Sequence, residues 1–120
     1  MSETKLKKQA MTDESWHEIG ATGEPAFQNS WVNYGSGYAT AAFMKDALGF
    51  VHIKGSIKSG TVAQPIFTVP TAYRPATIQQ FAIPSNAALA TLQINTVGEV
   101  TILACGSNAW ASLDVMCYKV

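Results

Sequence analysis

Turn-forming residues recur about every 8–12 positions along most of this chain, the interval at which short antiparallel strands reverse direction. They are Gly35-Ser36-Gly37, Asp46 to Gly49, Ser59-Gly60, Pro70, Pro75, Pro84-Ser85-Asn86, Gly98 and Gly106-Ser107-Asn108. The expected fold is therefore all-β, an antiparallel β-sandwich or barrel. The most regular strand is "VHIKGSIKS", residues 51–59. Val51, Ile53 and Ile57 fall on one face with Gly55; His52, Lys54, Ser56 and Lys58 fall on the other. In "VGEVTILAC", Val100, Ile102 and Ala104 oppose Thr101, Leu103 and Cys105, so both faces are apolar, as in a sheet covered on both sides. "ASLDVMCYKV" closes the chain, with Leu113, Val115 and Cys117 opposite Ser112, Asp114, Met116 and Tyr118.

Two segments carry a competing signal. "YATAAFMKDALG" and "NAALATLQIN" are rich in Ala and Leu, and propensity alone would make both helical. Each nevertheless runs through a short Gly-bearing turn into a clear strand, as hairpins do, and both are read as strands.

Charge bears on partners. Only 13% of residues are charged, against about 25% in an ordinary soluble domain. A single domain of 120 residues with so few charges must expose apolar patches, which favours an oligomer. The net charge is zero and no basic stripe is visible, which argues against a nucleic-acid partner. Of the charged residues, Glu3, Lys5, Lys7, Lys8, Asp13, Glu14, Glu18 and Glu24 crowd the start of the chain. Residues 1–15 read as a polar lead, mobile or used for docking, and 16–120 as one folded β domain. The opening "MSETKLKKQA" has no apolar core of a signal peptide. No run approaches the roughly 18 apolar residues of a membrane span, so synthesis in a cytoplasm without membrane insertion is expected.

Cys105 and Cys117 are too few for a disulfide scaffold. A hairpin turning near Ser107-Asn108 would set Cys105 opposite about Trp110 and Cys117 opposite about Gly98, too far apart to bridge. Both are expected to be buried free thiols. Catalytic and metal signatures are thin. His17 and His52 are the two histidines; there is no HExxH, no serine nucleophile elbow and no metal-ligand cysteine spacing. No enzyme activity, metal or cofactor is expected.

Three stretches carry a resemblance: "SWVNYGSGYATAAFMKDALGFVHIKGSIKSG", "PIFTVPTAYRP" and "GSNAWASLDVMCY". In order and content they resemble the head domain at the tip of bacteriophage and prophage tail fibres and receptor-binding proteins. The chain departs from that pattern in its Val-Met-Cys after Leu113-Asp114, where such proteins commonly carry a Gly. The resemblance implies a homotrimeric β-sandwich head on the virion, in the phage tail, that attaches to the host by binding cell-surface saccharide. Residues 1–24 would then dock onto another tail protein. The alternative is a purely structural virion protein, a decoration, collar or baseplate fibre without sugar binding.

The aromatic residues divide on the same question. Trp31, Tyr34 and Phe43 belong to the frame of the resemblance and read first as core or inter-subunit packing, with ligand stacking as the alternative. Trp110 beside a polar loop is the strongest candidate for a sugar-stacking face. Asn108, Ser107, Asp114 and His52 are candidates for the hydrogen bonds that would orient the sugar, though each also fits turn chemistry or a solvated face. Tyr38 and Tyr73 are further saccharide candidates. Pro70 and Pro75 frame a crossover that projects Tyr73 and Arg74. Arg74 could hold a carboxylate across a subunit boundary or a phosphate of a wall polymer.

Overall fold

The computed structural model describes residues 13–105 and 107–120, and within them the chain is almost entirely β. The strands are β1 (His17–Glu18), β2 (Val32–Asn33), β3 (Ala42–Lys45), β4 (Phe50–Lys54), β5 (Ser56–Lys58) and β6 (Pro65–Thr68). A three-residue 3-10 turn, Thr71–Tyr73, precedes β7 (Gln79–Ser85), β8 (Ala88–Ile94), β9 (Glu99–Ala104), β10 (Ala111–Ser112) and β11 (Cys117–Lys119). They form three antiparallel sheets, in the orders β1-β3-β4-β11, β10-β5-β2 and β6-β9-β8-β7. One apolar core unites them. It holds Trp31, Phe43, Val51, Ile53, Ile57, Ile66, Phe67, Leu92, Ile102 and Leu113, all essentially inaccessible to water.

The two helix-prone segments are strands, and the reason lies in their turns. Asp46 Oδ1 accepts from the amides of Leu48 and Phe50 at 2.9 and 3.0 Å. Asn95 Oδ1 accepts from those of Val97 and Glu99 at 3.2 and 2.9 Å. In each case a left-handed glycine follows, Gly49 at φ +88° or Gly98 at φ +85°. The Asx side chain and the glycine together close a hairpin, and strand pairing then overrides the local preference of Ala and Leu.

The regular strand 51–59 is real but divided. Gly55 adopts φ +120°, and a Cβ there would sit 2.5 Å from the Ala41 Cα. Only glycine fits. The chain bends at this point, delivering β4 to the first sheet and β5 to the second. The loop after β10 secures the bend: Gly55 N donates to Asp114 Oδ1 at 2.7 Å, and Leu113 N donates to the Gly55 carbonyl at 2.8 Å. Val51, Ile53 and Ile57 stay buried on either side of it.

The chain end departs from its expected alternation. A turn in which Met116 N donates to the Leu113 carbonyl at 3.1 Å separates β10 from β11 and shifts the phase. Met116 and Tyr118 are therefore buried, while Val115 and Cys117 face solvent. The hairpin expected at Ser107-Asn108 does not pair β9 with β10. Instead β10 pairs with β5 and β11 with β4, setting Cys117 opposite His52. Cys105 is half-buried and Cys117 exposed, so the expectation of two buried thiols is corrected for Cys117. In β9 both faces are buried only over Val100–Ile102; Leu103 and Ala104 are exposed.

Residues 1–12 of the expected lead lie outside the described residues. Its last part is tied to the body, because Asp13 Oδ1 accepts from Ala47 N at 2.9 Å and Glu14 Oε1 accepts from Lys45 N at 3.1 Å. Contacts with the domain thus begin by Asp13 rather than after residue 15.

Candidate functional site

The loop between β2 and β3 contains Gly35, Ser36 and Gly37, all at positive φ (79°, 54° and 86°). Three such residues in a row curl the chain tightly, and only the two glycines do so without steric cost. Staples at the loop's base hold the curl. Asn33 Oδ1 accepts from Ala41 N at 2.8 Å, Tyr34 N donates to the Ser56 carbonyl at 2.8 Å, and Ser56 N donates to the Ala39 carbonyl at 2.9 Å. Tyr34 and Tyr38 are thereby brought edge to face, with centroids 5.2 Å apart and planes at 84°.

Trp110 closes the other side. It directly precedes Ala111, which pairs with Ile57 in the same sheet. Its carbonyl is held by Ser85 Oγ at 3.2 Å, a hydroxyl at the buried end of β7. Tyr34, Tyr38, Ser56 and Trp110 line a cavity of about 80 Å³. A drug-sized ligand needs about 300–1,000 Å³ of enclosure, so this cavity does not swallow its ligand. It is a small hollow lined by three aromatic side chains, with Ser56 alongside. Lys58, two residues along the same face of β5, carries its ammonium 5.4 Å from the Tyr34 ring centroid.

Of the residues singled out from sequence, Trp110 and Tyr38 meet at this cavity. The polar neighbours of Trp110 are used elsewhere. Asn108 Nδ2 donates to the Gly60 carbonyl at 2.9 Å, and its own carbonyl accepts from Ser59 N. Ser107 Oγ accepts from Ala109 N at 3.0 Å, closing its own turn. Asp114 secures the Gly55 bend. His52 lies on the first sheet, with Nε2 2.8 Å from Asp46 Oδ2, an interaction that draws the Asp46 carboxyl below its ordinary range. Arg74 Nε donates to the Val69 carbonyl at 3.1 Å and packs against Gly98, where a Cβ would lie 2.9 Å from it. Two lining residues, Tyr34 and Ser56, were not singled out for binding. Tyr34 read first as frame, with ligand stacking as the alternative, and Ser56 fell on the polar face of its strand; the curl of the 34–38 loop sets them against Trp110.

Tyr73 belongs to a second cluster. Its hydroxyl donates to the Glu14 carboxylate at 2.9 Å, and its ring meets Phe43 edge-on at 4.9 Å. His17 stacks on Phe43 at 5.0 Å and reaches Glu24 Oε2 from Nδ1 at 2.8 Å and Glu14 Oε1 from Nε2 at 3.3 Å. The Glu24 hydrogen bond raises the His17 pKa above its ordinary value, outweighing partial burial. Burial, with the Glu14 hydrogen bond, pushes the Tyr73 hydroxyl up to about 12.

No protein-family model matches this chain, and no curated protein does. Among solved structures it is similar to the receptor binding protein (gp15) of Listeria phage PSA, with a TM-score of 0.72 at 19% sequence identity. The match covers 98% of this chain and 71% of that one. The chain therefore shares its all-β fold with a phage receptor-binding protein, the architecture that its Trp-Val-Asn-Tyr-Gly, Tyr-Arg-Pro and Gly-Ser-Asn-Ala-Trp segments led one to expect.

Proposed function

We propose that this chain attaches a phage virion to its host, and that the Tyr34–Tyr38–Trp110 hollow binds a sugar ring of the cell surface. The observation that carries the reading is the convergence of three aromatic side chains from two distant segments on one open cavity. The apolar face of a pyranose suits such rings, and the hollow's small size suits one terminal sugar rather than a chain. The role is binding without chemistry. Both histidines are engaged by carboxylates, His17 by Glu14 and Glu24 and His52 by Asp46, and neither lines the cavity. In this reading the protein sits in the phage tail and binds another tail protein through its N-terminal segment.

Self-association into a trimer completes the proposal. Residues 75–98 carry no charged side chain, and Ile78, Leu89 and Val97 are well exposed within them. Strand β7 is a sheet edge in this same stretch, and an uncharged edge invites pairing or cover. Three weak sites on one particle would gain strength by avidity. Sedimentation equilibrium tests the assembly: a stable monomer at micromolar concentration refutes it. Binding of purified protein to host cells tests the attachment, with Trp110→Ala expected to abolish it while the fold persists. A purely structural virion role is the second reading, favoured by the engagement of Asn108, Ser107 and Asp114 in backbone hydrogen bonds. Wild-type protein that fails to bind cells or their extracted wall polymer would support that reading.

A further inference from the structure

Two polar side chains at the cavity have no hydrogen-bond partner among the described residues. Ser56 is only 5% exposed, yet its hydroxyl has no protein hydrogen-bond partner among the described residues. No fully inaccessible side-chain polar atom is left unpaired among them, so this hydroxyl opens onto the cavity. Lys58 is the second. The other described cations all donate to protein acceptors: Lys45 to the Ala72 carbonyl, Lys54 to the Thr40 carbonyl, Arg74 to the Val69 carbonyl and Lys119 to the Leu48 carbonyl. Lys54 also faces Glu18 at 3.7 Å. Lys58 has a ring beneath it and no acceptor among the described residues. Strand alternation puts Ser56 and Lys58 on one face, two residues apart; Ser56 lines the cavity, and the Lys58 ammonium lies over the ring of Tyr34, which lines it too.

Resting on the sugar-binding reading, we infer that the site prefers an anionic sugar, one whose ring lies on Trp110 and Tyr38 and whose carboxylate or phosphate reaches Lys58. The Ser56 hydroxyl would exchange a hydrogen bond with the ring's own hydroxyls. An ammonium without a protein acceptor loses no internal bond when it meets an oxyanion, which a cation already engaged would. Attraction between exposed charges is modest and screened by salt, so the preference is one of degree.

The test titrates the full chain with glucose, glucuronic acid and glucose 6-phosphate, reading the indole N–H signal of Trp110 by NMR. The expected result is tighter binding of one or both anionic sugars than of glucose, by about fivefold, the upper end for an exposed ion pair. Comparing the two shows whether carboxylate or phosphate is the better fit. Lys58→Gln should bring the anionic sugars down to the level of glucose and leave glucose itself unchanged. Lys58→Arg should keep the preference, and 0.5 M salt should shrink it. Equal binding of all three sugars, or a preference that survives Lys58→Gln, overturns the inference but leaves the sugar site standing. Inorganic phosphate that displaces glucose 6-phosphate as well as unlabelled sugar phosphate does would overturn it too, by showing a site for free anions. If none of the sugars shifts the Trp110 signal, the inference and the sugar-binding reading fall together.

Discussion

Two tyrosine clusters flank the same core and treat their polar atoms in opposite ways. Around Tyr73 every polar group is answered. Its hydroxyl meets Glu14, its carbonyl takes the Tyr118 hydroxyl at 2.7 Å, and His17 lies between two carboxylates. Lys45 adds its charge over the Tyr73 ring at 5.0 Å and its proton to the Ala72 carbonyl. Around Tyr34 and Tyr38 the rings are placed just as firmly, but Ser56 and Lys58 are left without protein acceptors among the described residues. The first cluster spends its hydrogen bonds on joining chain segments: the start of the domain, β3 and the turn before β7. The second holds its bonding capacity open. In the proposed reading, what separates the binding site from packing is not aromatic content alone but aromatic content beside unanswered polar groups.

The sharpest way to break this contrast is to empty each cluster. Phe43→Ala removes the fully buried ring under His17 and Tyr73 and should cost about 3–5 kcal/mol in chemical denaturation. Trp110→Ala, at a half-buried position, should cost about 1–2 kcal/mol while removing cell binding. A Trp110→Ala loss as large as that of Phe43→Ala would make Trp110 a core residue, and the contrast would fail.

Removing single polar atoms sharpens the comparison further. Tyr73→Phe takes a hydroxyl from the Glu14 carboxylate and should lower stability by about 1 kcal/mol. Ser56→Ala removes a hydroxyl that bonds to no protein atom among the described residues, so the melting temperature should barely move. A substantial drop for Ser56→Ala would reveal a structural bond and refute its assignment to the ligand.

The smallest expected effect is a pH dependence confined to the answered cluster. The folded-state pKa of His17 lies above its ordinary 6.5, through the Glu24 hydrogen bond first and the charges of Glu24 and Glu14 after it. Its stabilising contribution is therefore complete below pH 6.5 and is lost as pH rises through the raised value. Glu14 works in the opposite sense. Burial pushes its carboxyl up, but hydrogen bonds from Tyr73, Lys45 and His17 prevail and leave it below 4.5, so its contribution is lost on acidification. The cluster is strongest between those limits. The alkaline step should amount to less than about 1 kcal/mol because His17 is partly open to water. Denaturation curves of wild type and His17→Gln across this range check it; identical pH profiles would show that His17 contributes nothing.

Much of the fold was readable from residue order, because turn residues act locally. Asp46, Gly49, Asn95 and Gly98 each govern the reversal beside them, and they outweighed the helical preference of the segments they end. The readings that failed depend on long-range partners. Nothing in "ASLDVMCYKV" announces that Asp114 turns aside to hold the amide of Gly55, so the shift that buries Met116 and Tyr118 could not be anticipated. The same holds at the site. Trp110 and Tyr38 stood out by residue type, whereas Asn108, Ser107 and Asp114 fitted sugar contact, turn chemistry or a solvated face alike until their backbone partners were seen. Ser56 carried a signal, being the polar face of a strand, but what stands over that face is decided by a loop some 20 residues earlier in the chain.

The Gly35-Ser36-Gly37 curl has a kinetic consequence. Its three positive φ values and the Asn33 staple set the positions of Tyr34 and Tyr38, so in the proposed reading capture would require no loop closure and release no loop opening. Encounter then proceeds at the pace of diffusion and orientation, and weak affinity shows as rapid departure rather than slow arrival. In the proposed reading, a particle carrying several such sites would exchange one contact at a time, moving across a cell surface while never wholly letting go.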